Sequence, residues 1–162
     1  MSPAVTVRPA RAEDEAALGR LGAMLVEEHH AFDPKRFIGR LPGLPERYGQ
    51  FLVSQIDRAD ALVLVAERDS SVAGYAYATV EGSDYMALRG PAGVLQDLVV
   101  DPDHRRQGIG TALLDASIDA LAALGAPRVV LFTAEKNDEA QAMFAHAGFR
   151  RTMVEMTRDI DA

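Results

Sequence analysis

The stretch Val94-Leu-Gln-Asp-Leu-Val-Val-Asp-Pro-Asp-His-Arg-Arg-Gln-Gly-Ile-Gly-Thr111 decides the fold. Val94 to Val100 has the β-branched and apolar content of a buried strand. Asp101-Pro102-Asp103 is turn chemistry, because proline presets φ and aspartate bonds its own backbone. Arg105-Arg106-Gln107-Gly108-Ile109-Gly110 follows, and from Thr111 the spacing is helical. Gly108 and Gly110 leave backbone N–H groups accessible at a helix N-terminus, where the peptide dipoles favour an anion. Arg105 and Arg106 add charge-assisted donors for phosphate oxygens, so the segment reads as a polyphosphate cradle. A dinucleotide fingerprint would need a small residue where Leu113 stands, and a P-loop would need a lysine that the segment lacks. What remains is Arg105-x-x-Gly108-x-Gly110 after a strand that ends in Asp-Pro.

The whole chain sets the bounds around that segment. Its 162 residues suit one domain, and 48% apolar with 25% charged residues is ordinary for a soluble globular protein. No cysteine is present, which excludes disulfides, thiolate metal sites and a thiol nucleophile. No apolar run approaches the ~20 residues that span a bilayer, and the N-terminus lacks the pattern of a signal peptide. A cytoplasmic protein without membrane partners is the expectation. The net charge of −7, with Lys35 and Lys136 as the only lysines, argues against nucleic acid as the main partner. It is compatible with a cationic amine substrate.

Outward from the cradle, the elements follow in order. Val5 to Pro9 reads as a short strand, and Ala12 to His30 as a helix burying Leu18, Leu21 and Leu25. That helix is expected to end before Pro34. Phe37 to Leu44 is a loop, and Pro45 opens a second helix that turns Tyr48, Phe51, Leu52 and Ile56 one way. Ala61 to Ala66 and Val72 to Glu81 form a hairpin about Asp69-Ser70-Ser71. Alternation in the second strand sets Tyr75, Tyr77 and Thr79 opposite Gly74, Ala76 and Ala78. Gly82 to Gly93 is a loop. The helix from Thr111 buries Leu114, Ile118 and Leu121 and is capped by Gly125. Arg128 to Thr133 reads as a buried strand, and Asn137 caps a helix bearing Ala140, Met143 and Phe144. Phe149 and Thr152 to Thr157 read as final strands. Val94 to Thr133 then forms a right-handed crossover between parallel strands. The fold class is α+β: a mixed, mostly antiparallel central sheet flanked by helices, with a parallel strand-helix-strand unit at the cradle.

Arg105-x-x-Gly108-x-Gly110 closely resembles the acetyl-CoA signature of the GNAT superfamily of N-acetyltransferases. Asn137-x-x-Ala140-x-x-Met143-Phe144-x-x-x-Gly148-Phe149 resembles the family's second signature, and the element order is similar over essentially the full length. The resemblance implies one GNAT-like domain over residues 1–162, acetyl-CoA as co-substrate and no metal. It implies that the backbone of Leu98, Val99 and Val100 pairs with the pantetheine arm on a strand splayed from its neighbour. Arg105, Arg106, Gln107, Gly108, Ile109, Gly110 and Thr111 would hold the pyrophosphate, with Asn137 and Phe144 beside them.

The reaction implied is direct attack of an amine on the acetyl carbonyl, which needs a group or water chain to take the amine's proton. Two family features are missing. Phe144 stands where relatives often carry a tyrosine acid, and Val94 or Gln96 where they often carry a glutamate base. Asp97 is the nearest carboxylate, either catalytic or ordering the adjacent loop. Glu28, His29 and Tyr77 are candidates for the acceptor site; histidines at a helix C-terminus are also favoured by the dipole alone. His29, His30 and Asp33 make a poor metal set, because adjacent helical residues face apart. Three functions are open: acetyl transfer to a primary amine of a small molecule or peptide, a degenerate acetyl-CoA-binding sensor or scaffold, and a protein N-terminal or lysine acetyltransferase. The sequence leaves room for a homodimer.

Overall fold

A computed structural model describes residues 4–160. Five strands, β1 (Thr6–Pro9), β2 (Ala61–Arg68), β3 (Ser71–Glu81), β4 (Ala92–Val100) and β5 (Val129–Leu131), form one sheet in the order of the chain. The β1–β2, β2–β3 and β3–β4 pairs are antiparallel and β4–β5 is parallel, as expected of the α+β class. Helices α1 (Glu15–Phe32) and α2 (Leu44–Gln55) precede β2, α3 (Ile109–Ala123) joins β4 to β5, and α4 (Asp138–His146) follows β5.

Strand alternation builds both halves of the core. Ala76 and Ala78 of β3 and Leu95 of β4 pack against Leu113, Leu114 and Leu121 of α3, with Phe144 of α4 in the same cluster. Tyr75 and Tyr77 point the other way, with Val63, Val65 and Val99, onto Leu18 and Leu21 of α1 and Leu52 of α2. The β2–β3 turn places Asp69 and Ser70 at φ 50° and 62°, the left-handed pair that suits the twist of a two-residue hairpin.

Several expectations are corrected. Residues 12–14 form a single 3-10 turn, so α1 begins at Glu15. Phe51 is exposed rather than buried with its helix face. Gly93 belongs to β4, where an added Cβ would stand 2.9 Å from Leu121 Cδ1. The stretch from Arg128 to Thr133 is not a buried strand. Only Val129–Leu131 pairs, all half-buried on the sheet edge, and Phe132 is 80% exposed. Residues 149–160 contain no strand at all. Apolar, β-branched content signals a tendency to pair, and the partner is absent within the chain among the described residues.

Arg8 ties the first elements together. Its guanidinium donates to both carboxylate oxygens of Asp14, at 2.8 and 3.0 Å, and to Glu67 at 2.8 Å, while the Arg11 N–H donates to Asp14 at 2.8 Å. These donors hold the buried Asp14 carboxyl below the usual carboxylate range, the Arg8 hydrogen bond contributing most. A depressed folded-state pKa stabilises above the unfolded value, and the contribution is lost as pH falls through the folded one. Asp14→Asn is therefore expected to cost about 2 kcal/mol at pH 7. The cost should shrink as pH falls below the ordinary aspartate range, read by urea denaturation at neutral and at acidic pH; a cost that does not fall with pH would show that the charge is not what matters.

Candidate active site

The site is built along β4. On its parallel side, pairing runs only through Gly93–Val129, Val94–Val130 and Leu95–Leu131. On its antiparallel side, β3 stays paired up to Gly74–Val100, but the register jumps from Ala78–Leu95 to Tyr77–Asp97. Gln96 is the extra residue, a bulge that bends the strand where β5 leaves it. From Gln96 to Val100 the edge turned away from β3 has no strand beside it among the described residues. The β4–β5 pairing thus stops on the strand where the resemblance implied a splay. It leaves one backbone edge of Leu98, Val99 and Val100 without a strand partner among the described residues, the geometry to which an extended chain can add.

The bulge also puts two successive polar side chains on the α1/α2 face. Asp97 lies opposite Tyr77, and Gln96 Nε2 donates to Thr79 Oγ1 at 3.2 Å. The hydroxyls of Tyr48 (α2) and Tyr75 (β3) each donate to Asp97 Oδ2 at 2.8 Å. Oδ1 has no donor among the described residues, and it is not sealed from solvent. Burial pushes the Asp97 carboxyl above the ordinary carboxylate range, opposed by the two tyrosine hydrogen bonds and by His29. Both tyrosines are pushed up in turn, by burial first and then by the Asp97 charge. Asp97 therefore does not order the loop that follows it. It is a desolvated carboxylate clamped at one oxygen and open at the other.

Tyr48 was not among the residues expected in the site, since no local spacing links it to a partner 49 positions away. The signal that could have found it is Gly22. An added Cβ there would lie 2.2 Å from Cδ1 of the Tyr48 ring, so the ring crosses α1 where α1 has no side chain.

The other acceptor candidates are partly engaged. Glu28 accepts from Arg105 at 3.0 Å, and so ties α1 to the cradle. Tyr77 is buried, its hydroxyl donating to Gln55 Oε1 at 3.2 Å and its ring edge-on to Phe51 at 5.6 Å. His29 Nδ1 lies 2.8 Å from the Leu25 carbonyl. A carbonyl can only accept, so Nδ1 carries the proton and Nε2 is the free lone pair of the neutral ring. Phe32 and Phe37 pack edge-on against that ring, at 5.8 and 5.2 Å.

Beyond β4, Asp101 accepts from the Asp103 N–H and from Arg20 of α1, which fixes the turn. Arg106 at φ 59° and Gly108 at φ 79° then curl the backbone into the α3 N-terminus. None of the N–H groups from Arg106 to Thr111 donates to an acceptor among the described residues; the first bond of the helix is Ala112 N–H to the Gly108 carbonyl, at 3.0 Å. The first turn of α3 carries no acidic residue, in contrast to α1 and α4. This arrangement fits an anion with many acceptor oxygens. The two glycines do different work. Gly108 supplies the left-handed φ in open space, whereas a Cβ at Gly110 would meet Met143 Sδ at 3.2 Å, so Gly110 lets α4 approach.

Arg105 donates to the Val100 carbonyl at 3.3 Å as well as to Glu28, and Arg68 bonds Gln107. Ile109 is buried, while Arg106 and Thr111 are exposed. Asn137 caps α4, its Oδ1 accepting from Ala140 N–H at 3.2 Å, which leaves its amide nitrogen for a ligand. Phe144 is 9% exposed and packs edge-on against Phe149, so little of its ring can touch a ligand. No group of His, Cys, Asp and Glu suited to a metal gathers among the described residues, and no helix there is long and apolar enough to cross a membrane.

Comparison with known proteins bears on this geometry. The model of the Acetyltransferase (GNAT) family matches residues 24–149. A mycothiol acetyltransferase of Clavibacter michiganensis subsp. michiganensis is 38% identical over 95 residues, which make up 59% of this chain but only 28% of that protein. An N-alpha-acetyltransferase of Sulfurisphaera tokodaii is 33% identical over 123 residues, 72% of this chain and 73% of that one. Among solved structures, a mutant of the BH1408 protein of Bacillus halodurans superposes with a TM-score of 0.80 at 22% identity, covering 96% of this chain and 99% of that one. The aminoglycoside N-acetyltransferase AAC(6')-Iy in complex with CoA superposes with a TM-score of 0.73 at 16% identity, over 99% and 98% of the two chains.

Two expectations come from the Asp97 clamp. A raised folded-state pKa favours the fold below the unfolded value, and that advantage is lost as pH rises through the folded one. Asp97→Asn, which keeps an acceptor for both tyrosines, should therefore be at least as stable as wild type at pH 7 and gain nothing at pH 3, by thermal melting; a large loss at pH 7 would contradict the desolvated charge. Gly22→Ala should cost about 2 kcal/mol by overpacking against Tyr48. The variant should also shift the near-ultraviolet tyrosine signal; a silent substitution would show that the ring is not pinned there.

Proposed function

The chain belongs to the Acetyltransferase (GNAT) family, and from that premise we propose that it transfers an acetyl group from acetyl-CoA to a primary amine of a small molecule or peptide. One observation carries the reading. A single strand presents a free backbone edge, leads into a run of unpaired N–H groups and holds a desolvated carboxylate at its bulge.

When bound, acetyl-CoA supplies an activated acetyl thioester, which an unprotonated amine attacks directly. The residues present fit it. The N–H groups from Arg106 to Thr111 face its pyrophosphate with Arg105 alongside, and Leu98 to Val100 offer the edge for its extended arm. Arg105 bridges both parts through the Val100 carbonyl and Glu28, so it orients the cradle against α1.

Proton removal is assigned to Asp97. Its Oδ1 is open while Tyr48 and Tyr75 fix Oδ2, so the carboxylate is held in one orientation without losing its basic oxygen. Desolvation makes it a stronger base than an ordinary aspartate. It is still far weaker than a free amine of pKa near ~10.4, so it acts as the proton becomes acidic during attack. Gln96 and Val94 cannot titrate, and no acid on α4 is required, because a thiol of pKa near ~8.5 leaves acceptably as the anion.

A peptide N-terminus is the second reading for the amine, favoured by the match over most of the N-alpha-acetyltransferase of Sulfurisphaera tokodaii. The test is release of CoA thiol over a panel of small amines and peptides. An active amine is expected to give a kcat/KM that rises through a pKa above the usual carboxylate range. Asp97→Asn should lower kcat/KM about 10²-fold or more with acetyl-CoA affinity unchanged. Full activity in that variant would remove Asp97 from the chemistry. Normal acetyl-CoA binding with no turnover on any amine would favour a binding module instead.

A further inference from the structure

Phe51 leaves 48% of its surface in solvent, although its helix neighbours Leu52 and Gln55 are buried. Its ring stands edge-on to Tyr77, with centroids 5.6 Å apart and planes at 88°. Tyr77 lies directly opposite Asp97 on the neighbouring strand. Directly opposed residues of an antiparallel pair keep their Cβ atoms about 5 Å apart. Phe51 is therefore one side chain away from the carboxylate, on the face to which Tyr48 reaches from the same helix. A phenyl ring left half bare there forgoes burial that a ligand's own ring could restore.

The polar groups around the ring suit a single cation. Gln55 Oε1 already accepts from the Tyr77 hydroxyl at 3.2 Å and from Arg58 at 2.9 Å. Gln96 is exposed at the bulge; its Nε2 donates to Thr79, and its Oε1 accepts from no donor among the described residues. The open side-chain acceptors on this stretch of β4 are thus one amide oxygen, Gln96 Oε1, and one carboxylate oxygen, Asp97 Oδ1. Glu28 and Asp60 are matched by Arg105 at 3.0 Å and by Arg58 at 2.8 Å. The residues three and four positions either side of Phe51, which flank it on the α2 surface, are Arg47, Tyr48, Ser54 and Gln55. None is a carboxylate. A second ammonium on the acceptor would lose water there without a counter-charge, and Arg47 would repel it.

We propose that the acceptor is a monoamine carrying an aromatic ring, its nitrogen at Asp97 and its ring against Phe51, which makes Phe51 the residue that selects the substrate. This rests on the acetyl-transfer reading and narrows it. The amine nitrogen forms the new C–N bond as the C–S bond breaks, its proton passes to Asp97, and the thiolate departs with the electron pair.

Turnover at one pH and saturating acetyl-CoA tests this with phenethylamine, butylamine and spermidine. The kcat/KM for phenethylamine is expected to exceed the other two about tenfold or more, the equivalent of one well-placed aromatic contact. A Phe-Ala-Ala tripeptide in the same panel separates the free amine from the same group at a peptide N-terminus. Phe51→Ala should bring phenethylamine down to the level of butylamine, mainly through KM. Phe51→Glu places a carboxylate at a half-exposed helix position and should turn the preference towards spermidine. Equal or better use of spermidine by the wild-type protein overturns the proposal and leaves acetyl transfer standing. So does a preference for the ring that survives both substitutions. Absence of turnover on every amine overturns the transfer reading instead. The ring site is then read without any variant, by amide NMR with CoA present. Phenethylamine should shift Phe51, Tyr77 and Asp97, and saturating phenethylamine that moves none of them overturns the site as well.

Discussion

The extra residue at Gln96 is the constraint on which the rest of the site depends. By bulging where β5 departs, it ends the parallel pairing at Leu95 while β3 continues to hold β4 to Val100. The strand is thus rigid on one edge and open on the other, a combination that a regular ladder cannot provide. The same residue resets the alternation, so that Asp97 faces α1 and α2 instead of α3. Without it, the carboxylate would fall on the α3 face with Ala76, Leu113 and Leu114, away from the hydroxyls of Tyr48 and Tyr75.

The open strand leads into the cradle without a break. Asp101 and Arg20 fix the turn, Gly108 supplies the left-handed conformation, and Gly110 allows Met143 to close behind α3. On the opposite face, α1 has a separate role. Gly22 admits the Tyr48 ring, which reaches across to Asp97, and Glu28 ties the end of the helix to Arg105. The α1/α2 layer therefore orients both the carboxylate and the loop that follows β4, and a disturbance of that layer is felt at both.

The cradle was legible in the sequence because every part of it is local: a strand, a turn residue, a glycine of left-handed φ and a helix start lie within 18 residues. The two tyrosines behind Asp97 were less so. Tyr75 could be placed on the correct face by alternation, but its bond to Asp97, and that of Tyr48, exist only through the tertiary packing of α1 on α2. The predicted strand at Thr152 to Thr157 illustrates a different limit. Its residues have the composition of a strand, and composition says nothing about whether the partner lies in the same chain. Asn137 caps α4 as its position before Asp138 and Glu139 predicted, whereas the burial of Phe144 against Phe149 follows from tertiary packing that the motif does not show.

The central claim is that one continuous surface, from the free edge of β4 to the N-terminus of α3, receives the CoA moiety. Backbone amide NMR during titration with CoA tests it without knowledge of the acceptor. The account predicts that the largest shifts fall on Gln96 to Val100 and Arg106 to Thr111, with smaller changes relayed to Glu28 through Arg105. Saturable binding that leaves both stretches unmoved, and shifts instead the loop from Gly82 to Pro91, would contradict it.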